Sequence, residues 1–132
     1  GDVITVSGVY SEYYGLSQIG SPEIEITGTS ELPTPVDIAD TCSIGTDGTA
    51  SEGLENMVVR VSHVTVSNAN PDAPDDYQEF ELNSCLRVDD QLSDVLVPQP
   101  VEGTYFNQIS GVLSYTYGNA KLAPRGAGDV VE

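Results

Sequence analysis

The segment MVVRVSHVTVS, residues 57–67, is the strongest strand signal in the chain. Valine and threonine fill it almost continuously, and both favour the pleated, half-buried surface of a sheet. Side chains alternate between the two faces of a strand, which divides the segment into two sets. One set is Val59, Val61, His63 and Thr65, and the other is Val58, Arg60, Ser62, Val64 and Val66. Both sets are partly apolar, as in a central barrel strand that is covered on both sides.

Further strand-like segments lie on both sides of this one. The segment DVITVSGVYSEYYGLSQI, residues 2–19, contains two β-rich runs, and Gly8 inside the first predicts a bulge or a bend. In EIEIT, residues 23–27, charge and isoleucine alternate, so Ile24 and Ile26 are predicted to face inward. QEFELNSCLRVDD, residues 78–90, predicts a strand pair, and TYFNQISGVLSYTYGNAKLAP, residues 104–124, predicts a long strand broken at Gly111 followed by a short one. With no helical period beyond about one turn, residues 1–132 are predicted to form one all-β domain, either a small barrel or a sandwich.

The charge of the chain limits its partners. Twenty-one Asp and Glu residues against four Lys and Arg give a formal net charge of −17. Nucleic-acid binding draws its non-specific affinity from Lys and Arg, so a nucleic-acid partner is disfavoured, as is an anionic membrane surface. The chain has no stretch of apolar residues long enough for a membrane span. Such acidity suits a salty external medium, divalent cations or a basic partner.

Cys42 and Cys85 are the only cysteines, and no histidine lies near either in sequence. A zinc site would have too few ligands, so we predict a disulfide. Closing the loop of roughly 44 residues between the two cysteines would stabilise the fold by about 4 kcal/mol. A disulfide in turn predicts an extracellular or cell-surface location. No basic and apolar leader precedes Gly1, as expected of the mature form of a secreted chain.

The acidic segment NANPDAPDDYQE, residues 68–79, is the candidate metal site. Oxygen-bearing side chains occupy the first, third, fifth, ninth and twelfth positions of a loop that resembles an EF-hand register. These are Asn68, Asn70, Asp72, Asp76 and Glu79. Ala73 replaces the usual glycine, and strands rather than helices flank the loop, so two interpretations stay open: a generic calcium loop and a solvated loop. Calcium is the one cofactor that the sequence suggests.

No motif predicts catalysis. His63 is the only histidine and lies inside the valine-rich strand, and no nucleophile elbow, phosphate-binding loop or zinc-protease motif is present. We therefore predict that the chain is not an enzyme. Its aromatic residues either pack with their hydroxyl groups at the surface or form a stacking platform for bases or sugars. They are Tyr10, Tyr13, Tyr14, Tyr105, Phe106, Tyr115 and Tyr117.

Several segments together resemble one known family. GDVITVSGVYSEYYGLSQI, LENMVVRVSHVTVS, LRVDD and ISGVLSYTYGNAKLAPRGAGDV are similar, in this order, to the OB-fold-like domain of secreted bacterial endonucleases of the exonuclease, endonuclease and phosphatase type and of other bacterial surface proteins. The resemblance implies an OB-fold-like small β-barrel with one disulfide and no catalytic machinery of its own. The family often has glycine where this chain has Asn56. It also implies that the segment with Leu122, Pro124 and Arg125 closes the barrel.

Two cationic residues lie near the C-terminus, Lys121 and Arg125. We expect Arg125 to act as a structural clasp rather than as a phosphate ligand, paired with Asp129 or with a carboxylate of the first strand pair. Two functional hypotheses follow. In the first, the domain is a secreted structural or interaction module that associates with its own copies or with an extracellular protein, assisted by calcium. In the second, it is an accessory nucleic-acid or substrate-binding domain of an extracellular nuclease.

Overall fold

The computed structural model describes residues 1–132 and contains nine strands and three short helical turns. The strands are β1 (Asp2–Tyr13), β2 (Leu16–Thr29), β3 (Val36–Ile38), β4 (Val58–Asn68), β5 (Phe80–Leu82), β6 (Leu86–Val88), β7 (Tyr105–Thr116), β8 (Asn119–Ala123) and β9 (Val130–Val131). The helical turns are Thr41–Ile44, Ser51–Leu54 and Ala127–Asp129. No helix combines the length and the apolar character that crossing a bilayer requires.

Five strands form a closed barrel in the order β4, β5, β6, β8, β7, and β7 pairs back with β4. The β6–β8 pair is parallel, and the other barrel pairs are antiparallel. Strand β3 adds in parallel to β4, and β9 adds to β7. The predicted all-β, OB-fold-like small barrel is therefore confirmed.

The barrel interior is filled by branched aliphatic side chains and two phenylalanines that stack on each other, Phe80 and Phe106. The predicted break at Gly111 is wrong, since β7 runs through this residue. Gly111 serves a different purpose, because a Cβ there would lie 2.6 Å from the carbonyl oxygen of Ala123. The glycine lets β7 and the end of β8 approach closely.

Strand β4 changes its inward face halfway along. The prediction that β4 is covered on both sides is wrong, because only one side is buried at each point: Val59 and Val61 in the first half, and Val64 and Val66 in the second. The change occurs at His63, which has a φ of 55° and is exposed. The predicted division into two faces is thus right only for the first half, because one residue in the left-handed region shifts the alternation.

Strands β1 and β2 form a separate two-stranded hairpin, which pairs with no other strand. Its register shifts twice, between Val3 and Ile4 and between Ser7 and Val9, so the irregularity predicted at Gly8 is present. The prediction that Ile24 and Ile26 face inward is wrong. These side chains are 62% and 65% exposed, because the hairpin extends away from the barrel and no second layer covers it.

The predicted disulfide between Cys42 and Cys85 is present. It joins the helical turn Thr41–Ile44 to the turn between β5 and β6, with the two Cα atoms 4.9 Å apart. Ile44, beside Cys42, belongs to the core of the barrel. The crosslink therefore fixes the connector that follows β3 against the barrel.

Candidate functional site

The five candidate calcium ligands do not converge on one point. The side-chain oxygen of Asn68 accepts a hydrogen bond from the backbone N–H of Asn70. The side-chain oxygen of Asn70 accepts one from the backbone N–H of Asp72. Asp76 accepts bonds from Gln78 and from Gln99. No group of three or more His, Cys, Asp or Glu side chains is arranged to hold a metal ion. These side-chain oxygens are used in hydrogen bonds within the loop and to Gln99.

The other two candidates, Asp72 and Glu79, belong to an ion network on the barrel. Arg87 on β6 and Lys121 on β8 are direct neighbours in the parallel pair of strands. Nη1 of Arg87 donates to both oxygens of Asp72, at 2.7 and 2.9 Å, and to Glu79 at 3.0 Å. Nζ of Lys121 donates to Glu79 and, at 3.1 Å, to Asp89. Lys121 and Glu79 are only 3% and 6% exposed, so the strand register places a buried lysine beside a buried carboxylate.

Arg125 and Asp129 form a bidentate pair. Nε and Nη2 of Arg125 donate to the two carboxylate oxygens at 2.8 and 2.7 Å, and the backbone N–H of Arg125 donates at 2.9 Å. The hydrogen bond from Arg125 lowers the pKa of Asp129 against the opposing effect of burial. Two partners were left open for Arg125, and in the structure it pairs with Asp129. Since β9 begins at the next residue, the pair positions the C-terminal strand on β7.

With these pairs every lysine and arginine of the chain is bound to a carboxylate. The remaining cation, Arg60, contacts Asp37 at 2.5 Å. All four cationic side chains are therefore neutralised inside the molecule. This arrangement leaves no unpaired lysine or arginine for a phosphate group.

The aromatic residues do not gather into one platform. Of the seven aromatic residues considered for a platform, five are exposed, whereas Tyr115 is half-buried and Phe106 lies in the core. The exposed five are Tyr10, Tyr13, Tyr14, Tyr105 and Tyr117. Tyr105 bonds His63, with 2.6 Å between Oη and Nδ1. Neither packing nor a single platform describes the exposed tyrosines, because two of them occupy turns and two lie on the uncovered hairpin.

One face of the hairpin carries a row of exposed apolar side chains. Cross-strand partners on this face are Ile4 with Ile26, Val6 with Ile24, and Tyr10 with Ile19. We call these six residues the hairpin apolar face. Each is 38–66% exposed. The sequence contained the signal in its alternating isoleucines, but alternation does not reveal whether another layer covers the apolar side.

The hairpin touches the barrel mainly near its turn. The backbone N–H of Ser17 donates to Glu55 at 2.7 Å, and the side-chain amide of Asn56 donates to the carbonyl of Ser17 at 3.1 Å. Asn56 has a φ of 64°, a conformation that asparagine and glycine adopt more readily than other residues. Between these contacts and the hairpin apolar face lies an open groove of about 550 Å³, lined in part by Val6 and Tyr10. The apolar face is thus accessible from solvent.

Comparison of the chain with models of protein families, with curated proteins and with solved structures found no match. The resemblance to the domain of secreted endonucleases is therefore a prediction that rests on the sequence segments given above. The chain itself presents one exposed apolar hairpin, one buried ion network and no unpaired lysine or arginine.

Proposed function

We propose that this domain is a non-catalytic extracellular assembly module whose hairpin packs against a second copy of the same chain. The observation that carries the proposal is the hairpin apolar face, which consists of six large side chains that the barrel leaves uncovered. Contiguous exposed apolar surface of this kind is typical of a protein–protein contact. The disulfide supports the extracellular location.

The hairpin gains little stability from its own barrel. A two-stranded ribbon is at best marginally stable in water unless a third strand or another layer covers it. Here the attachment consists of the contacts around Ser17 and of Tyr115 against Gly15. A partner that covers the ribbon would supply the missing layer.

The dimensions of the ribbon set the area that one of its faces can bury. A ribbon of 12-residue strands has an area of about 400 Å² on each face, from the rise per residue and the strand spacing. Stable interfaces take about 800 Å² from each partner. The second face carries Val3, Val9 and Tyr13 but also Glu23 and Glu25, so the hairpin apolar face is the more favourable contact surface. We therefore infer that this face meets a second copy and that surface beside it supplies the rest of the contact area.

The acidic residues of β2 do not obstruct this contact. Glu23 and Glu25 pair with Ser7 and Thr5 on the face opposite to the hairpin apolar face. The outer edges of β1 and β2 are also free for backbone pairing with another chain. The net charge of −17 still opposes the approach of identical copies. Calcium would assist by lowering the negative charge of both copies, although no group of three or more acidic, His or Cys side chains within one chain is arranged to hold it.

The alternative, an accessory nucleic-acid domain of an extracellular nuclease, has less support. All four cations that could contact phosphate are held by carboxylates of the chain. A single-stranded ligand would have to displace these pairs in a strongly negative environment. We expect no binding of DNA at physiological salt.

The test compares two single-charge substitutions on opposite faces of the hairpin. Ile24→Lys places an ammonium group in the centre of the hairpin apolar face, and Thr5→Lys places one on the other side, opposite Glu25. Light scattering and electron microscopy over a concentration series measure assembly. We expect assembly of the wild type and of Thr5→Lys, and its loss in Ile24→Lys. Circular dichroism and the melting temperature check that both variants keep the barrel.

Two results would contradict the proposal. One is a wild-type protein that stays monomeric at the highest concentration, with and without millimolar calcium. The other is equal assembly by Ile24→Lys and Thr5→Lys, which would place the contact elsewhere on the molecule.

A further inference from the structure

A polar pocket of about 430 Å³ lies beside the ion network, away from the hairpin. The loop between β4 and β5 contributes Asp72 and Tyr77, and β6 contributes Arg87. The turn between β7 and β8 contributes Tyr117, and the start of β8 contributes Asn119. The volume is within the range of small-molecule sites, about 300–1,000 Å³.

Tyr117 occupies a position that folding does not explain. Its side chain is 95% exposed and its φ is 51°, in the left-handed region that disfavours bulky residues. An exposed aromatic ring in a strained turn stabilises neither the turn nor the core. The ring does have one neighbour in the pocket, the ammonium group of Lys121, 5.6 Å from its centroid. Tyr77, 62% exposed, lines the same pocket.

The polar groups of the pocket are rigid and retain hydrogen-bonding capacity. Arg87 uses only Nη1 in its bonds to Asp72 and Glu79, which leaves Nε and Nη2 as donors. The carboxylates of Asp72 and Asp89 have further lone pairs as acceptors. Because the ion network already fixes these side chains, they would lose little conformational freedom on binding a ligand.

The charge of the pocket selects the class of ligand. Two cations, Arg87 and Lys121, face three carboxylates, Asp72, Glu79 and Asp89. This excess of negative charge repels phosphates and carboxylates. A neutral ligand that is rich in hydroxyl groups matches donors and acceptors set side by side, and its apolar C–H faces match the faces of exposed tyrosine rings.

We propose that this pocket binds a segment of a neutral carbohydrate, with Tyr117 and Tyr77 as stacking residues and Arg87, Asp72 and Asp89 as hydrogen-bonding residues. The inference is independent of the assembly proposal, since it uses none of the residues of the hairpin. A domain with both properties would attach its assembly to a polysaccharide surface.

Affinity electrophoresis in native gels provides the test, with soluble neutral polysaccharides as probes: dextran, pullulan, xylan and a mixed-linkage β-glucan. We expect at least one to retard the protein. Tyr117→Ala and Tyr77→Ala should each weaken the retardation at least about tenfold, the size expected when an aromatic stacking partner is removed. Tyr14→Ala is the matched control, because Tyr14 is 83% exposed, has a φ of 50° and also precedes a glycine in a turn. Its binding should equal that of the wild type.

Three outcomes overturn the proposal. The first is no retardation by any of the four polysaccharides, and the second is equal weakening in Tyr14→Ala and Tyr117→Ala. The third is binding of a single-stranded oligothymidine that Tyr117→Ala abolishes, which would assign the pocket to nucleic acid. Unchanged melting temperatures of the exposed-tyrosine variants exclude misfolding as the cause of a loss.

Discussion

Lys121 is an uncommon residue for the wall of a small barrel, since a buried ammonium group costs several kcal/mol unless it is paired. Its Nζ atom contacts Glu79 and Asp89, and Arg87 bonds the second oxygen of Glu79. No buried side-chain nitrogen or oxygen atom lacks a hydrogen-bond partner. The network is therefore complete, and the removal of one member leaves another charge without compensation.

We predict that Lys121→Met lowers the free energy of unfolding by about 3–5 kcal/mol, because it leaves Glu79 buried with only half of its partners. Urea unfolding measures the change. Arg60→Met is the control, since Arg60 pairs with the exposed Asp37 and its replacement should cost far less stability than that of Lys121. Equal costs for the two variants would show that burial adds nothing to the Lys121 pair.

Asp129 makes stability depend on pH in a defined direction. The hydrogen bond from Arg125 holds the pKa of Asp129 below its ordinary value of 3.8. A folded-state pKa below the unfolded one stabilises the protein above the unfolded pKa, and this contribution disappears as the pH falls through the folded pKa.

Asp129→Asn should therefore be less stable than the wild type at about pH 6, and the difference should shrink below about pH 4. Urea unfolding of both proteins at several pH values measures it. A difference that stays constant down to about pH 2.5 would mean that the carboxylate charge contributes nothing to the clasp.

At the scale of elements, the hairpin and the barrel are expected to have separate stabilities. The barrel is closed and has a core, whereas the hairpin has only cross-strand pairs and the contacts near its turn. Segments with little burial open at lower free energy than the core. Hydrogen exchange should therefore be faster in β1 and β2 than in β4 and β7.

Gly8 allows a direct test of this separation. A Cβ at Gly8 would lie 2.8 Å from the carbonyl oxygen of Gly20 and 2.5 Å from a methyl group of Ile19. We predict that Gly8→Ala increases hydrogen exchange across the hairpin and leaves the barrel protected. Gly53→Ala is the control, because a Cβ there meets no atom within 4 Å. Loss of protection in the barrel of Gly8→Ala would mean that the two elements unfold together.

The barrel was predictable from sequence and the exposure of the hairpin was not, for a physical reason. β4 is rich in valine and threonine along its whole length, and these residues favour a strand whichever of its faces is covered. EIEIT alternates in the same way whether its isoleucines face a core or solvent. The pairs made by Arg87 and Lys121 were also beyond prediction, because they depend on the β6–β8 register between residues far apart in the chain.

At the scale of the whole molecule, charge and apolar surface oppose each other. All four cations are used in internal pairs, so most of the carboxylates have no cationic partner. Two copies brought together through the hairpin therefore repel over a distance set by the salt concentration. The Debye length is about 30 Å at 0.01 M salt and about 3 Å at 1 M.

The association of copies should consequently strengthen with salt, because screening removes the repulsion and leaves the apolar contact. We predict that the apparent dissociation constant, measured by light scattering or sedimentation, falls between about 20 mM and about 500 mM sodium chloride. A comparison of calcium and magnesium at equal ionic strength separates chelation from screening. If carboxylates at the contact chelate the ion, calcium should promote association more strongly than magnesium. Binding through ion pairs, whether to a basic partner or between copies, has the opposite dependence on salt. An association that weakens as sodium chloride rises would therefore exclude the hairpin apolar face as its main contact.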